Sequence, residues 1–251
     1  MTAGGVPDRS RAGFPILIID DHELFSTTLT MALRGEGFDA RTYPVARIRD
    51  VLAQPADPPG LVVLDLDLGR DGEGRYVNGA DLVGGLRGRG WIVLVVSGSV
   101  DELGTAAAIA AGAVGAVPKS RSFGVLLETA VTAAAGRPVM PESEHRDWVA
   151  RHRRFQAQER ELSRRLSRLS HREREVLELL AAGSRATAIA EHFVVSMPTV
   201  RTQIRSILTK LEVGSQLEAV ALLRPNVDPD RPRRNASPLH DPIVQTVRRS
   251  P

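Results

Sequence analysis

Six side chains that could do chemistry together follow short apolar runs in the first half of the sequence. They are four carboxylates, one hydroxyl and one ammonium group: Asp20, Asp21, Asp65, Asp67, Ser97 and Lys119. Clustered carboxylates repel one another unless a cation neutralises them, and an oxygen-rich site of this kind suits Mg²⁺. Ser97 could donate a hydrogen bond, and Lys119 a compact charge, to an anion bound beside that metal. The set therefore indicates phosphoryl chemistry.

Predicted strands must bring these six residues together. Runs rich in valine and isoleucine alternate with helical stretches, and a weaker run completes the series: FPILII, FDARTY, LVVLDL, WIVLVV and AVGAV. This alternation predicts an α/β domain with a doubly wound, five-stranded parallel sheet covered on both faces. The six residues stand at the ends of the first, third, fourth and fifth strands. Because chemistry collects at the carboxyl ends of such strands, we expect the six to converge.

Charge is distributed unevenly along the 251 residues. Residues 1–136 hold 12 basic and 16 acidic side chains, a net charge of −4, whereas residues 137–251 hold 21 and 14, a net charge of +7. A basic second half suggests a polyanionic partner.

Composition narrows the class of protein further. The chain has no cysteine, which excludes disulfides and thiolate metal sites. The first residues lack the apolar core of a signal peptide, and the run WIVLVV is too short to span a bilayer. We expect a soluble, cytoplasmic protein that has no membrane partner.

The motifs of the first half resemble a known family. LIIDDHELF, VVLDLDL, VVSGS and GAVGAVPKS are similar, in this order, to the four signatures of the receiver domain of bacterial two-component response regulators, over residues 14–136. The resemblance implies a flavodoxin-like fold in which Asp65 accepts a phosphoryl group from a sensor histidine kinase.

The same resemblance implies roles for the other five residues. Asp21 and Asp65 would bind Mg²⁺ directly, Asp20 would act through water, and Asp67 would use its backbone carbonyl. The phosphoryl oxygens would be contacted by Ser97 and Lys119.

Two features depart from the receiver pattern. Ala116 occupies the position where the family usually has an aromatic ring that reports phosphorylation. The family's Pro-Gly turn after the acceptor is replaced by GRDGEGRYV, and NGADL follows about six residues late. The insertion is either a lid that slows access to Asp65 or a harmless surface loop.

Two alternatives follow from these residues. The first is an orphan regulator that keeps the receiver fold and binds DNA independently of phosphorylation. The second is remote: LDLDLG also resembles the nucleophile motif of haloacid-dehalogenase-type Mg²⁺-dependent phosphatases. In those enzymes the nucleophile lies on the first motif strand and an acid pair follows the lysine, whereas here Asp20 and Asp21 precede everything. We therefore predict a regulator that is not an enzyme.

The second half reads as four short helices. LSHREREVLELLAAG begins with Ser170 and Glu173 in capping-box spacing, and Ser215 and Glu218 repeat this spacing before the last helix. A tight turn separates the second helix from the third, MPTVRTQIRSILTKLEV, for which Ser196 is the expected N-cap. The pattern predicts an all-α, four-helix helix-turn-helix domain.

The third of these helices has the composition of a DNA-reading element. At 100° per residue its apolar side chains fall on one side and leave a basic, hydrogen-bonding face without an acid before Glu212. The predicted DNA contacts are Ser196, Thr199, Arg201, Thr202, Gln203, Arg205, Ser206 and Lys210.

Residues 168–224 resemble the LuxR-type DNA-binding domain, and with the receiver they resemble a NarL/FixJ-type response regulator. The resemblance implies a DNA-binding transcription factor controlled by phosphorylation of a receiver aspartate, with double-stranded DNA, a kinase and RNA polymerase as partners. The tail, residues 225–251, is rich in proline and arginine and is expected to be disordered.

The join between the two domains, residues 137–167, predicts a helical linker. Apolar residues at heptad spacing suggest a coiled coil that makes a homodimer. The predicted seam is Trp148, Phe155, Leu162, Leu166 and Leu169, with His152 and Glu159 at intervening positions. A helix packed on its own receiver is an equal alternative.

Overall fold

The computed structural model describes residues 13–53, 55–98 and 101–223. The chain divides into two units, Met1–Gln158 and Glu159–Pro251, which are described separately. The predicted disordered tail, residues 225–251, lies outside the described residues. No helix in the described ranges is long and apolar enough to cross a membrane.

The first unit is built on a parallel sheet. Its strands are β1 (Pro15–Ile19), β2 (Asp39–Thr42), β3 (Leu61–Asp65), β4 (Asp67–Arg70), β5 (Tyr76–Asn78), β6 (Ile92–Ser97) and β7 (Gly115–Pro118). Five of them form one sheet in the order β2-β1-β3-β6-β7, with every neighbouring pair parallel. Every residue of β3 is buried, as expected for a central strand covered on both faces. The predicted fold class is confirmed.

Helices cover both faces of this sheet. They are α1 (Glu23–Gly35), α2 (Ile48–Ala53), α3 (Gly79–Gly88), α4 (Glu102–Ala110) and α5 (Phe123–Ala134), and a 3₁₀ turn at Val45–Arg47 precedes α2. One core contains Leu29 and Leu33 of α1 and Leu126 of α5. The other contains Val83 and Leu86 of α3. Two apolar layers thus hold the strand ends in place.

The inserted segment after Asp65 forms a small antiparallel hairpin, β4–β5, which the sequence did not predict as strands. The Asp71 carboxylate accepts hydrogen bonds from the backbone amides of Glu73 and Arg75, each at 2.9 Å, and so fixes the turn. Arg49 of α2 donates to the Glu73 carboxylate at 2.9 Å. The hairpin is therefore held by its own turn and by an ion pair to the adjacent helix.

A 26-residue helix, α6 (Glu142–Ser167), follows the sheet domain and has no proline or glycine in its interior. In its first half, Arg151 lies 3.5 Å from Glu102 of α4 and stacks over the Trp148 ring at 4.9 Å from the centroid. These contacts place this part of α6 beside the first unit's own α4.

The second unit contains α7 (His171–Ala181), α8 (Ala186–Phe193), α9 (Met197–Leu211) and α10 (Gln216–Leu223). Val176, Ile189, Ile204 and Leu211 pack in one core. The tight turn between α8 and α9 passes through Val194, whose φ of 53° lies in the left-handed region. The predicted four-helix helix-turn-helix fold is confirmed.

Candidate functional site

Four adjacent strand ends build the first candidate site. Asp20 and Asp21 follow β1, Asp65 ends β3, Ser97 ends β6, and Lys119 follows β7. The Lys119 amide donates to the Ser97 carbonyl at 2.7 Å, which joins the ends of the last two strands. The sheet order places β1, β3, β6 and β7 side by side, so these residues meet at the carboxyl edge.

Lys119 lies between two buried carboxylates. Its Nζ is 2.6 Å from Asp20 Oδ2 and 2.8 Å from Asp65 Oδ2. The side chains of both aspartates are only 2% exposed, and that of Lys119 is 13% exposed. The cation therefore offsets part of the repulsion between the acids and occupies one oxygen of Asp65.

The acceptor candidate, Asp65, is incompletely stabilised as an anion. Burial raises its pKa to about 6, although the hydrogen bond from Lys119 acts in the opposite direction. Its second oxygen, Oδ1, is buried and has no hydrogen-bond partner within the described part of the chain. A buried carboxylate oxygen without a partner is costly, so a ligand or an electrophile that bonds to this atom would relieve that cost.

His22 joins this site, and the sequence reasoning assigned it no role. Its Nδ1 lies 2.7 Å from Asp21 Oδ1 and 3.3 Å from Asp20 Oδ1. One donor atom each from Asp20, Asp21, His22 and Asp65 lie within 4.8 Å of one another, which is compact enough for a metal ion. The signal for His22 was its position directly after two strand-end acids.

Asp67 differs from the other acids of the set because its carboxylate belongs to the hairpin. Its Oδ1 accepts a hydrogen bond from the Tyr76 hydroxyl at 2.8 Å and a longer one from the Gly69 amide at 3.4 Å. The structure therefore brings Asp20, Asp21, Asp65 and Lys119 together, but it does not add the Asp67 side chain to them.

The second unit contains a buried carboxylate of another kind, Glu173 of α7. Ser170 caps α7, and the Glu173 side chain accepts from the Ser170 amide at 2.7 Å, so the predicted capping box is present. Glu173 also accepts from Ser206 Oγ at 2.6 Å and from Lys210 Nζ at 2.9 and 2.6 Å. Although burial raises the pKa of Glu173, these bonds lower it to about 2.

The contacts of Glu173 bear on the predicted DNA contacts. Ser206 and Lys210 bind Glu173, because they face α7 rather than the open side of α9. Gln203 is half-buried and its Oε1 accepts no bond from the described residues. The members that remain exposed on or beside α9 are Ser196, Thr199, Arg201, Thr202 and Arg205.

The predicted dimerisation seam also needs a correction. Helix α6 ends at Ser167, so Leu169 lies beyond it and is buried in the second unit's own core. Leu166 packs against the same core. The other three members of the predicted seam, Trp148, Phe155 and Leu162, do not belong to this core. Their side chains are half-buried on α6.

A parallel α/β domain with acids and a lysine at its carboxyl edge, followed by a helix-turn-helix domain, defines a two-domain signalling regulator. Residues 167–223 match the family described as bacterial regulatory proteins, luxR family. The chain is 31% identical over 215 residues to the nitrate/nitrite response regulator protein NarP of Escherichia coli K12, covering 83% of this chain and 94% of NarP.

A second sequence relative agrees with this assignment. The chain is 28% identical over 213 residues to the virulence factors putative positive transcription regulator BvgA of Bordetella pertussis, covering 84% of this chain and 97% of BvgA. Among solved structures, full-length FixJ from B. japonicum is 25% identical, with a TM-score of 0.40 and coverage of 85% of this chain and 97% of FixJ. The chain belongs to the NarL/FixJ-type response regulators, which are DNA-binding transcription regulators and not enzymes.

Proposed function

We propose that this protein is a transcription regulator controlled by phosphorylation of Asp65. Residues 14–136 act as its receiver and residues 168–224 as its DNA-binding domain. The observation that carries the proposal is the Asp65 carboxylate: it is buried, it is paired with Lys119 through one oxygen, and its other oxygen has no hydrogen-bond partner among the described residues.

The donor set fits Mg²⁺. Asp21 and Asp65 would bind the ion directly, Asp20 would act through water, and Asp67 would use its backbone carbonyl. The unpartnered Oδ1 of Asp65 and the compact cluster of carboxylates support this assignment. When bound, the ion would supply positive charge that offsets the negative charge of the carboxylates and of the phosphoryl group.

In the phosphoryl transfer, an oxygen of ionised Asp65 attacks the phosphorus atom of the donor. The bond from phosphorus to the donor's leaving group breaks, and the leaving group keeps the electron pair. Lys119 offers a fixed positive charge to the transferred phosphoryl oxygens, and the Ser97 hydroxyl offers a hydrogen bond. Because the pKa of Asp65 is about 6, most of the acceptor is ionised at pH 7 and above.

Acetyl phosphate with Mg²⁺ tests this proposal. Intact-mass measurement should show one added phosphoryl group on the wild-type chain and none on Asp65→Asn. Asp81→Asn is the matched control, because Asp81 is an exposed carboxylate on α3. A wild-type chain that never gains the mass would favour the orphan regulator, which binds DNA without using phosphate.

We infer that α9 reads double-stranded DNA through Arg201, Thr202 and Arg205, with Ser196 and Thr199 at its N-terminal end. If Arg205 reads a base, Arg205→Ala should cost about 1–3 kcal/mol on a duplex selected from a random pool. If Arg205 contacts a phosphate instead, its loss should weaken binding to all sequences alike. The slope of log affinity against log salt concentration should then fall by about one. Arg154→Ala is the control, since Arg154 is an exposed arginine of α6. Equal affinity of Arg205→Ala and the wild type would exclude this helix face.

The remaining partners belong to the same proposal. The protein would act in the cytoplasm, its phosphoryl donor would be a sensor histidine kinase, and RNA polymerase would be the target of the DNA-bound regulator. A homodimer would form through the half-buried side chains of α6, Trp148, Phe155 and Leu162. Leu162→Glu should then convert dimers to monomers in sedimentation. A variant that still sediments as a dimer would place the interface elsewhere.

A further inference from the structure

Both ends of the inserted hairpin β4–β5 lie beside the proposed acceptor, Asp65. Strand β4 begins at Asp67, two residues after Asp65. At the other end, the Gly79 amide donates to the Leu66 carbonyl at 2.8 Å, and a Cβ on Gly79 would collide with the backbone carbonyl of Asp65. Both ends of the hairpin are thus fixed against the acceptor strand.

Between these ends, the hairpin borders the acidic cluster. Gly69 has a φ of 64°, and a Cβ at this position would lie 3.4 Å from Asp21 Oδ2. Arg70 donates to the Gly74 carbonyl at 2.7 Å and closes the turn together with Asp71. The hairpin therefore stands beside the site with a defined shape that does not depend on Tyr76 alone.

Tyr76 of β5 uses this shape to hold a fourth carboxylate. Its hydroxyl donates to Asp67 Oδ1 at 2.8 Å, and a bond to a charged acceptor is stronger than a neutral one. The cluster already holds Asp20, Asp21 and Asp65 against a single lysine cation, Lys119. Asp67 carries its negative charge with or without Tyr76, so a side chain released toward this cluster would repel an anionic phosphoryl donor more strongly than one held in the hairpin.

We propose that Tyr76 is a positioning residue that keeps the Asp67 carboxylate in the hairpin, out of the path of the incoming phosphoryl donor. Tyr76 thereby raises the rate at which Asp65 is phosphorylated. This inference rests on the proposed function of Asp65. It assigns the insertion a part in donor entry, through one side chain that touches neither the donor nor the acceptor.

The test compares labelling rates of the full chain with acetyl phosphate and Mg²⁺. Tyr76→Phe should label about fivefold more slowly at low ionic strength, which is the effect of bringing the existing Asp67 charge to within a few ångströms of the donor in water. The loss should appear as a higher KM for acetyl phosphate, with little change in the rate at saturation. It should shrink in about 1 M salt, where charges are screened within about 3 Å.

Epistasis separates positioning from a general structural role. In an Asp67→Asn background there is no carboxylate to hold, so adding Tyr76→Phe should leave the rate unchanged. The matched control is Tyr43→Phe, because Tyr43 is the other tyrosine of the chain and packs in the core on the α2 and α3 side. Tyr43→Phe should label at the wild-type rate.

Three results would overturn the inference. Tyr76→Phe could label as fast as the wild type, or its defect could persist in the Asp67→Asn background, or it could be insensitive to salt. In each case a labelled wild-type chain leaves the proposed function intact. A wild-type chain that takes no phosphoryl group removes the proposed function and this inference together.

Discussion

The two lysines of the chain each bind a buried carboxylate, and the two sites are built differently. In the first unit, Lys119 binds two aspartates, and Asp65 has one buried oxygen without a hydrogen-bond partner among the described residues and a pKa raised to about 6. In the second unit, Lys210 and two serines serve the single carboxylate of Glu173, whose pKa is lowered to about 2. A buried carboxylate that accepts several hydrogen bonds stabilises the fold around it. One that accepts few hydrogen bonds is better suited to act as a nucleophile.

Removing each lysine gives the largest contrast between the two sites. Lys119→Ala should slow acetyl phosphate labelling of Asp65 on the order of 100-fold, because a fixed charge at the phosphoryl oxygens is lost. Lys210→Ala should label at nearly the wild-type rate. The measurement is intact mass against time for the two variants. Equal rates for Lys119→Ala and Lys210→Ala would contradict the distinction.

Removing the Glu173 carboxylate should lower stability and leave the phosphorylation of Asp65 unchanged. Glu173→Ala should lower the free energy of opening around α7 and α9 by about 3 kcal/mol, since it removes the capping box and leaves Lys210 without its acid. Hydrogen exchange of the amides in these two helices measures this change. Glu178→Ala, at an exposed position of α7, is the control and should change exchange little. An equal loss of opening free energy in Glu173→Ala and Glu178→Ala would mean that the Glu173–Lys210 pair does not stabilise these helices.

The smallest of the three effects is in the pH dependence of the two carboxyls. The pKa of Asp65 is raised in the folded state, so its contribution to stability is greatest below pH 4 and is lost as the pH rises through about 6. The pKa of Glu173 is lowered, so its contribution is present above about pH 4.5 and is lost as the pH falls toward 2. The contributions of these two carboxyls to stability should therefore change in opposite directions as the pH falls.

Asp65→Asn tests the first half of this prediction. At pH 7.5 without metal it should raise the unfolding free energy of the first unit by about 2 kcal/mol, and the gain should vanish near pH 4. Urea unfolding followed by tryptophan fluorescence reports on this unit, because Trp91 and Trp148 both lie in it. Asp81→Asn should show no such pH-dependent gain. A gain in Asp65→Asn that is independent of pH would show that burial of charge is not its cause.

The sequence predicted those features that depend on local pattern. Four of the five strands of the sheet were visible as apolar runs rich in valine and isoleucine, and β2 as a weaker run. The capping box was visible because Ser170 and Glu173 are three residues apart. The convergence of Asp20, Asp65 and Lys119 followed from the sheet topology, since parallel strands end at one edge.

The missed features depend on contacts between distant segments. The hairpin has a polar sequence without strand periodicity, and its ion pair comes from Arg49 on another element. Lys210 was assigned to DNA because a helical wheel treats α9 alone, whereas Glu173 lies 37 residues earlier. Leu169 continued the heptad in sequence, but the helix ended two residues before it.

The fixed ends of the hairpin make it a natural place for a spectroscopic reporter. The hydrogen bond between Gly79 and Leu66 fixes the base of the hairpin, so a substitution in the turn between β4 and β5 need not move the acceptor. The chain has no cysteine, and a single thiol introduced at the exposed Gly72 of the turn, where a Cβ would meet only ordinary contacts, would be the only one for a thiol-reactive dye to modify. Fluorescence from that position would follow donor entry in real time, in the unfragmented protein and without radioactive phosphate.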